Sequence, residues 1–227
     1  DTSVSRGLGD VYKRQNFSTA LLIFIMSTMI IFIAGYKLKH LTVLFLLFIF
    51  LISSFLLAVN KYPNIIPNRV DTWTNRIENF VNNDIDDTSN YQINRAKAAI
   101  ANGKIFGVGA GKSSMKYVLP QSTSDFIFSI IAEEYGIIVS LIILLLYVVL
   151  LFRIIITSYR SETKFGQLVS VAVGIPVVFQ AFTNMAVAVQ LIPVTGQPLP
   201  LVSTGGTSIW ITFLAMGILL SVSTVSY

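Results

Sequence analysis

The sequence predicts an all-α integral membrane protein, and three observations support that prediction. Of the 227 residues, 54% are hydrophobic and only 12% are charged, and the mean hydropathy is +0.72. A soluble globular domain carries about a quarter charged residues, so this chain has too little polar surface to cover itself in water. The apolar residues also fall in long uninterrupted runs, which argues against a single large buried core.

Composition excludes several functional classes. The chain has no cysteine and a single histidine, His40, which excludes disulfides, thiol catalysis and multi-histidine metal sites. The net charge is +5, but the basic residues are dispersed and form no aromatic-interleaved face of the kind that binds nucleic acid. Near a bilayer, such a charge indicates residues that flank membrane spans and contact anionic lipid.

Five apolar runs predict five transmembrane helices, since about 20 apolar residues cross a bilayer core. Residues 1–15 precede them and are polar and patternless, so we interpret them as a non-native tail and expect the chain to be a fragment without its N-terminal part. The first two runs form a hairpin within residues 16–59, because only a short basic turn separates them. The predicted spans lie at about residues 17–36, 41–59, 126–156, 165–192 and 209–222.

Basic residues set the predicted orientation. The turn Lys37–His40 and the segment Arg153–Lys164 both carry clustered Lys and Arg, so both are expected on the cytoplasmic side. Two polar loops, residues 60–124 and 193–208, then lie together on the opposite side of the membrane. Residues 125–227 accordingly hold three transmembrane helices and the second of these loops.

The first polar loop is long, and a loop of that length is usually functional. Within it, Tyr91–Asn102 predicts a short helix that Gly103 ends, either along the membrane surface or packed on the loop itself. Arg69 and Arg76 flank Trp73. The guanidinium group of arginine suits phosphate or carboxylate, so we predict that both arginines contact substrate. Two solvated arginines beside a tryptophan at the membrane interface fit the pattern equally well.

Asp125 is the strongest candidate for chemistry, because it is a single carboxylate at the mouth of the third apolar run. Pro120 stops the preceding structure, so Asp125 is predicted in the first turn of a helix. The candidate N-caps are Ser122, Thr123 and Ser124. An Asp there also complements the helix dipole, which is the structural alternative. Its place at a membrane face beside a Gly/Lys-rich loop favours a catalytic role.

Glu133 and Glu134 lie two turns further into the same apolar run. Intramembrane carboxylates are costly and usually face a protein interior or an aqueous cavity. Glu133 lies about 12 Å along the helix from Asp125, beyond the roughly 5–9.5 Å that separates a glycosidase carboxylate pair. We interpret both as structural or cavity-lining residues with Lys or Arg partners. Gln180 and Asn184, one turn apart in the fourth run, are interpreted as contacts between helices.

The run Gly107–Ser113 is rich in glycine and is similar to a phosphate-binding loop. It misses the GxxxxGK[ST] template by one residue, follows no clear strand and lies on the predicted non-cytoplasmic side, which argues against ATP binding. Backbone N–H groups and ammonium groups here still suit a pyrophosphate, and a flexible turn is the structural alternative. The predicted substrate contacts are Gly107, Gly109, Gly111, Lys112, Ser113 and Lys116.

The second polar loop, residues 193–208, is rich in glycine and proline, which exclude a regular helix there. Irregular backbone at membrane depth is tolerated where it is buried or lines a cavity. We therefore predict that Ser203, Gly205 and Gly206 contact the substrate.

Five segments carry motifs of one known family. They are NFSTA (Asn16–Ala20), RVDTWTNR (Arg69–Arg76), YQ (Tyr91–Gln92), GVGAGKSSMKYVLPQSTSDFIFSIIAEEYG (Gly107–Gly136) and PVTGQPLPLVSTGGTSIW (Pro193–Trp210). The motifs occur in the family's order and extend over nearly all of Asn16–Tyr227. In them the chain resembles the SEDS family of membrane glycosyltransferases, which polymerise peptidoglycan. The resemblance implies the C-terminal half of a ten-span fold, with residues 60–124 as its large extracytoplasmic loop.

The resemblance also implies a reaction. The family's catalytic aspartate stands in a TDFIF-like motif, which here reads Ser124–Phe128, with Ser124 where threonine is usual. Asp125 is thereby implied as general base in the polymerisation of lipid II, an undecaprenyl-pyrophosphate disaccharide-peptide, with Gln92 among the substrate contacts. The implied partners are a class B penicillin-binding protein, other division proteins and membrane lipids, and the candidate cation is Mg²⁺ or Mn²⁺. The motifs are closer to the FtsW branch, which implies cell division at the bacterial cytoplasmic membrane.

Other functions fit the same residues. A lipid II transporter or a non-catalytic division scaffold would also place polar groups beside a membrane cavity, and a RodA-like elongation polymerase is the alternative within the family. A transporter usually buries its ionisable site near the bilayer midplane. Asp125 is predicted at the outer mouth, which favours the enzyme.

Overall fold

The computed structural model describes residues 17–61, 88–119 and 122–225, and within these ranges it contains helices and no β-strand. The all-α prediction is therefore confirmed. Arg69 and Arg76 lie outside the described residues. The helices are α1 (Phe17–Ile33), α2 (Leu38–Lys61), α3 (Thr88–Gly103), a 3-10 helix (Met115–Tyr117), α4 (Ile127–Arg160), α5 (Lys164–Ala188) and α6 (Gly206–Val225).

Three of the described helices are long and apolar enough to cross a membrane: Ile127–Arg160, Lys164–Ala188 and Gly206–Thr224. The apolar stretches Ala20–Ile33 in α1 and Leu38–Ser54 in α2 are shorter. The last three predicted spans therefore have the required length, and the first two stay a prediction.

α1 and α2 are joined by a tight turn at Gly35. This glycine has a φ of +83°, and its N–H donates to the Phe32 carbonyl at 3.0 Å. A glycine in the left-handed region is a common way to end a helix and reverse the chain. The rings of Phe24 and Phe48 then stack across the two helices with 3.8 Å between their centroids.

α5 is the central helix and contacts α4, α6 and α1. Gly174 lets α5 approach α4, since a Cβ at this position would lie 2.7 Å from Ile154 Cγ1. α5 ends at Ala188, four residues before its predicted end, because Gln190 takes a left-handed φ of +58°. One cluster of the α4–α5 core lies beside the loop after α5 and consists of Phe128, Tyr147, Ala181, Met185, Ala188 and Leu199.

α3 confirms the short helix that the sequence predicts, and it packs on α4. Its buried face consists of Ile93, Ala96 and Ala99, at helical spacing. Gly103 ends this face at the closest approach, where a Cβ would overlap the Ala132 carbonyl oxygen. Small residues let two helix backbones come together in this way.

α4 is broken at Gly136, whose φ of +80° and ψ of −179° are not helical. This region is adopted almost only by glycine. The third predicted span is thus long enough to cross a membrane, but its helix contains a break that the sequence analysis did not predict. A break leaves backbone groups without intrahelical partners, which is costly inside lipid. The Ile137 N–H finds its partner in the Lys104 carbonyl, at 3.0 Å.

Residues 104–109 dock at this break. The N–H groups of Val108 and Gly109 donate to the carbonyls of Glu133 and Glu134, at 2.9 and 3.0 Å. Gly107 permits the approach, because a Cβ there would overlap the Glu134 carbonyl. The loop thus completes the hydrogen bonds that the break leaves open.

We expect Gly136→Ala to destabilise the protein. Alanine is strained at this φ, and its Cβ would overlap the Ile105 carbonyl, so the loop must move away. Such a backbone conformation costs roughly 1–3 kcal/mol in a non-glycine residue, so Tm in detergent, followed by circular dichroism, should fall. The control is Gly217→Ala in α6, where no atom lies within 4 Å of the new Cβ and alanine favours the helix. Equal Tm values for both variants would contradict the docked-loop structure.

Candidate active site

Asp125 lies immediately before Phe126, the N-cap of α4. The prediction that Asp125 stands in the first helical turn is therefore wrong, and so is the prediction that one of the three preceding hydroxyls caps the helix. The Ser122 hydroxyl donates to the Lys116 carbonyl at 2.9 Å instead, and the Ser124 hydroxyl donates to Asp125 Oδ1 at 2.8 Å. The Asp125 side chain is partly exposed, so one oxygen is held while the carboxylate stays accessible.

Two amides of α5 hold the backbone around Asp125. Asn184 is only 1% exposed and donates through Nδ2 to the main-chain carbonyls of Asp125 and Gln197, both at 2.7 Å. One turn earlier, Gln180 Nε2 donates to the Pro198 carbonyl at 3.2 Å. The contacts predicted between helices are thus contacts between α5 and two loops.

The loop after α5 packs against the segment before α4, as the topology predicts. The Ser203 hydroxyl donates to the Ser124 carbonyl at 2.6 Å and accepts from the Leu199 N–H at 2.7 Å. Thr204 donates to the Thr123 carbonyl through its N–H at 3.1 Å and through its hydroxyl at 3.0 Å. Ser203 is buried at this joint, where its hydroxyl connects the two loops.

Gly196 brings the same loop up to the carboxylate. Its φ is +67°, and a Cβ at this position would lie 3.5 Å from Asp125 Oδ2. Further along, Gly206 is the first residue of α6, so the prediction that it excludes a helix is wrong. Gly205 precedes it and accepts from the Ile209 N–H at 2.9 Å, at a helix start where glycine is well tolerated.

Glu133 holds the glycine- and lysine-rich loop against α4. Its carboxylate is 1% exposed and accepts from the Ser113 hydroxyl, the Ser114 hydroxyl at 2.9 Å and the Met115 N–H at 3.3 Å. The Asn102 amide adds a contact from α3 at 3.4 Å. The predicted Lys or Arg partners are wrong for Glu133, since uncharged donors surround its carboxylate, as a buried polar group requires.

The geometry divides the predicted pyrophosphate contacts into two groups. Gly107 and Gly109 approach α4, and Ser113 is buried on Glu133, so these three residues form contacts within the protein. Gly111 has a φ of +73° and open space beside it. The exposed cationic members of the set are Lys112 and Lys116, and Gln92 is half-buried on α3.

Several residues that build this site were not predicted from the sequence. Ser114 and Asn102 complete the donors around Glu133; they lie 19 and 31 residues from it in the sequence, so no local pattern pairs them with it. Gly196 and Thr204 join the last loop to the Asp125 segment, and no local pattern indicates contacts between residues so distant in the chain.

We expect Glu133→Gln to loosen the lysine-bearing loop while the helices stay folded. The side-chain amide nitrogen of the new glutamine would face two of the groups that now donate to the Glu133 carboxylate, so those two hydrogen bonds would be lost. A hydrogen bond to a charged group contributes about 1.5–3 kcal/mol to stability. Amide hydrogen exchange at residues 112–116 should therefore rise about tenfold or more, since 1.4 kcal/mol corresponds to a factor of ten. Glu162→Gln, at an exposed position between α4 and α5, is the matched control. Unchanged exchange in the loop would show that Glu133 does not hold it.

The chain matches the cell cycle protein family of FtsW, RodA and SpoVE over residues 8–227. "Probable peptidoglycan glycosyltransferase FtsW" of Enterococcus hirae is 37% identical, over 76% of this chain and 44% of that protein. "Stage V sporulation protein E" of Bacillus subtilis (strain 168) is 36% identical, over 85% of this chain and 50% of that protein. The chain thus spans about half the length of these relatives. The family match begins inside the segment interpreted as a non-native tail, and that interpretation stays a prediction.

A solved structure shares the fold. It is a chain of a peptidoglycan synthase complex that coordinates polymerization and crosslinking. The two folds align with a TM-score of 0.71 at 25% sequence identity, and the alignment covers 96% of this chain and 59% of the chain in the complex. The resemblance that the sequence motifs carry is confirmed by these matches. The chain belongs to the FtsW/RodA/SpoVE family of cell cycle proteins.

Proposed function

We propose that the protein is a peptidoglycan glycosyltransferase that polymerises lipid II during cell division, with Asp125 as general base. The placement of the Asp125 carboxylate carries this proposal. Its main chain is fixed by buried Asn184, while its Oδ2 faces Gly196, which has no side chain to cover it. Relatives named as peptidoglycan glycosyltransferases support the reaction class.

The proposed reaction is an inverting glycosyl transfer. The 4-hydroxyl oxygen of the acceptor sugar attacks the anomeric carbon of the donor, and the bond from that carbon to the pyrophosphate oxygen breaks. Asp125 takes the proton that the hydroxyl loses, and the pyrophosphate leaves on its lipid carrier. General-base assistance typically contributes about 10²–10⁴-fold to a rate. Positioning and stabilisation of the departing charge supply the remainder.

The cationic part of the proposed site is the loop that Glu133 holds. Lys112 and Lys116 are exposed there and are proposed to stabilise the departing pyrophosphate. Arg69 and Arg76 are proposed for the same role. A divalent cation, Mg²⁺ or Mn²⁺, is proposed beside the departing pyrophosphate; in the described part of the chain, no three His, Cys, Asp or Glu side chains come together to hold a metal ion.

The proposed setting is the bacterial cytoplasmic membrane, with five spans in this chain and residues 60–124 and 193–208 on its outer side. Hydrogen bonds between the segment before α4 and the loop after α5 support a common side for these two loops. The proposed partner is a class B penicillin-binding protein, and the similarity to a chain of a peptidoglycan synthase complex supports it.

We expect Asp125→Asn to lower glycan polymerisation by about 10²–10⁴-fold, because the amide cannot accept the proton. The substitution keeps the shape of the side chain, and the main-chain carbonyl that Asn184 contacts is unchanged, so the fold should persist. The assay supplies labelled lipid II to the full-length protein with its penicillin-binding partner and follows glycan length. Glu162→Gln, the same carboxylate-to-amide change at an exposed position away from Asp125, is the control.

The outcomes separate the proposed enzyme from its alternatives. Polymerisation at the wild-type rate by Asp125→Asn would refute the general base. A wild-type protein that moves lipid II across vesicles without polymerising it would instead favour a transporter. A folded but inactive Asp125→Asn variant that still binds its partner would exclude a purely structural role for the carboxylate.

A further inference from the structure

An apolar loop tip stands beside the outer part of α4. Ile105 and Phe106 are 56% and 82% exposed. The tip is not free to turn away, because the Lys104 carbonyl accepts from the Ile137 N–H at 3.0 Å and Gly136 packs on the Ile105 backbone. Two large apolar side chains are therefore held outward at a fixed position along α4.

The tip continues an apolar surface of α4. A cavity of about 460 Å³ lies between them, with Phe106 on one side and Tyr135 and Ile138 on the other. Both α4 residues are themselves exposed, as are Leu141 and Ile142 one turn further along. A contiguous exposed apolar surface of this kind marks contact with a membrane or a partner rather than with water.

The charged residues of α4 indicate where hydrocarbon begins. The sequence between Glu134 and Arg153 contains no charged residue. This 18-residue stretch, residues 135–152, is about 27 Å long at a rise of about 1.5 Å per residue, close to the roughly 30 Å of a bilayer core. This match in length suggests Tyr135 as one boundary of the hydrocarbon. The loop tip is bonded to α4 two residues inside that boundary, at Ile137.

We propose that residues 104–106 insert into the bilayer leaflet next to the candidate active site, with Ile105 and Phe106 among the lipid acyl chains. Lys104 follows the pattern of a residue that flanks such an insertion, with its ammonium group at the level of anionic lipid headgroups. The proposed occupant of this surface is bulk membrane lipid, because the tip continues the exposed apolar surface of α4, whose uncharged stretch has about the length of a bilayer core. Residues 104–106 take no part in the proposed glycosyl transfer, so their insertion can be tested independently of the role of Asp125.

Insertion also accounts for the position of the break in α4. At the hydrocarbon boundary, water is scarce, and irregular backbone is tolerated only where protein satisfies its polar groups. The loop brings those partners to Gly136 and covers the outer side of the break with apolar side chains. Docking of the loop and its insertion into the membrane would thus both shield the polar backbone at Gly136 from lipid.

The test uses site-directed spin labelling, which the absence of cysteine from the chain makes direct. Phe106→Cys in the full chain is labelled with a nitroxide and reconstituted into phosphatidylethanolamine/phosphatidylglycerol vesicles. Collision rates are measured with oxygen, which concentrates in lipid, and with a water-soluble nickel chelate. Ile142→Cys, exposed within the α4 span, is the lipid reference, and Glu162→Cys, exposed between α4 and α5, is the water reference.

The label at Phe106 should collide with oxygen several-fold more often than with the nickel chelate, as at Ile142. A nickel-dominated pattern like that at Glu162 would overturn the proposal, and so would low collision with both reagents, which would show that protein covers the tip. Phe106 contributes little to the core, so the variant should fold, and Ile105→Cys provides an independent second position that must give the same lipid pattern.

Discussion

Backbone groups inside a membrane need hydrogen-bond partners from protein, and this constraint shapes the structure around the break in α4. α4 breaks at Gly136, and the loop of residues 104–109 supplies the missing donors and acceptors. Glycines permit the close contact, since a side chain at Gly103, Gly107 or Gly136 would overlap the opposing backbone. The break and the loop are therefore one unit, in which each supplies hydrogen-bond partners to the other.

The same unit determines where the lysine-bearing segment lies. From the docked loop the chain runs directly to Ser113–Met115, which Glu133 holds through hydroxyl and backbone donors. Glu133 and Asp125 illustrate two uses of a carboxylate eight residues apart in the chain. Glu133 is buried and its oxygens accept hydrogen bonds from the protein, so it organises structure. Asp125 is partly exposed, and Asn184 contacts its main-chain carbonyl and not its carboxylate, an arrangement that suits the proposed general base.

α5 connects these parts because it is the central helix and its two amide side chains, Gln180 and Asn184, bond to the loops beside it. Asn184 and Gln180 reach the backbone on both sides of the candidate site, and Ser203 ties the last loop to the segment before α4. Two loops separated by more than sixty residues in the sequence are thereby fixed around one carboxylate. The chain spans about half the length of its relatives, so the proposed reaction is a property of the whole protein to which this half contributes Asp125 and the lysine-bearing loop.

The sequence by itself determined the helical membrane class, the family and the approximate ends of the last three spans, and it singled out Asp125 as the candidate for catalysis. These properties follow from local composition, apolar run length and short motifs, which are readable along the chain. Only the tertiary structure decided the break at Gly136, the uncharged partners of Glu133, and the use of Ser203 and Gly107 in packing. In each case the deciding partner is distant in sequence. The glycine and serine types alone fit either a ligand contact or a close backbone approach, and the distances to α4 and to the neighbouring loop show which contacts they make.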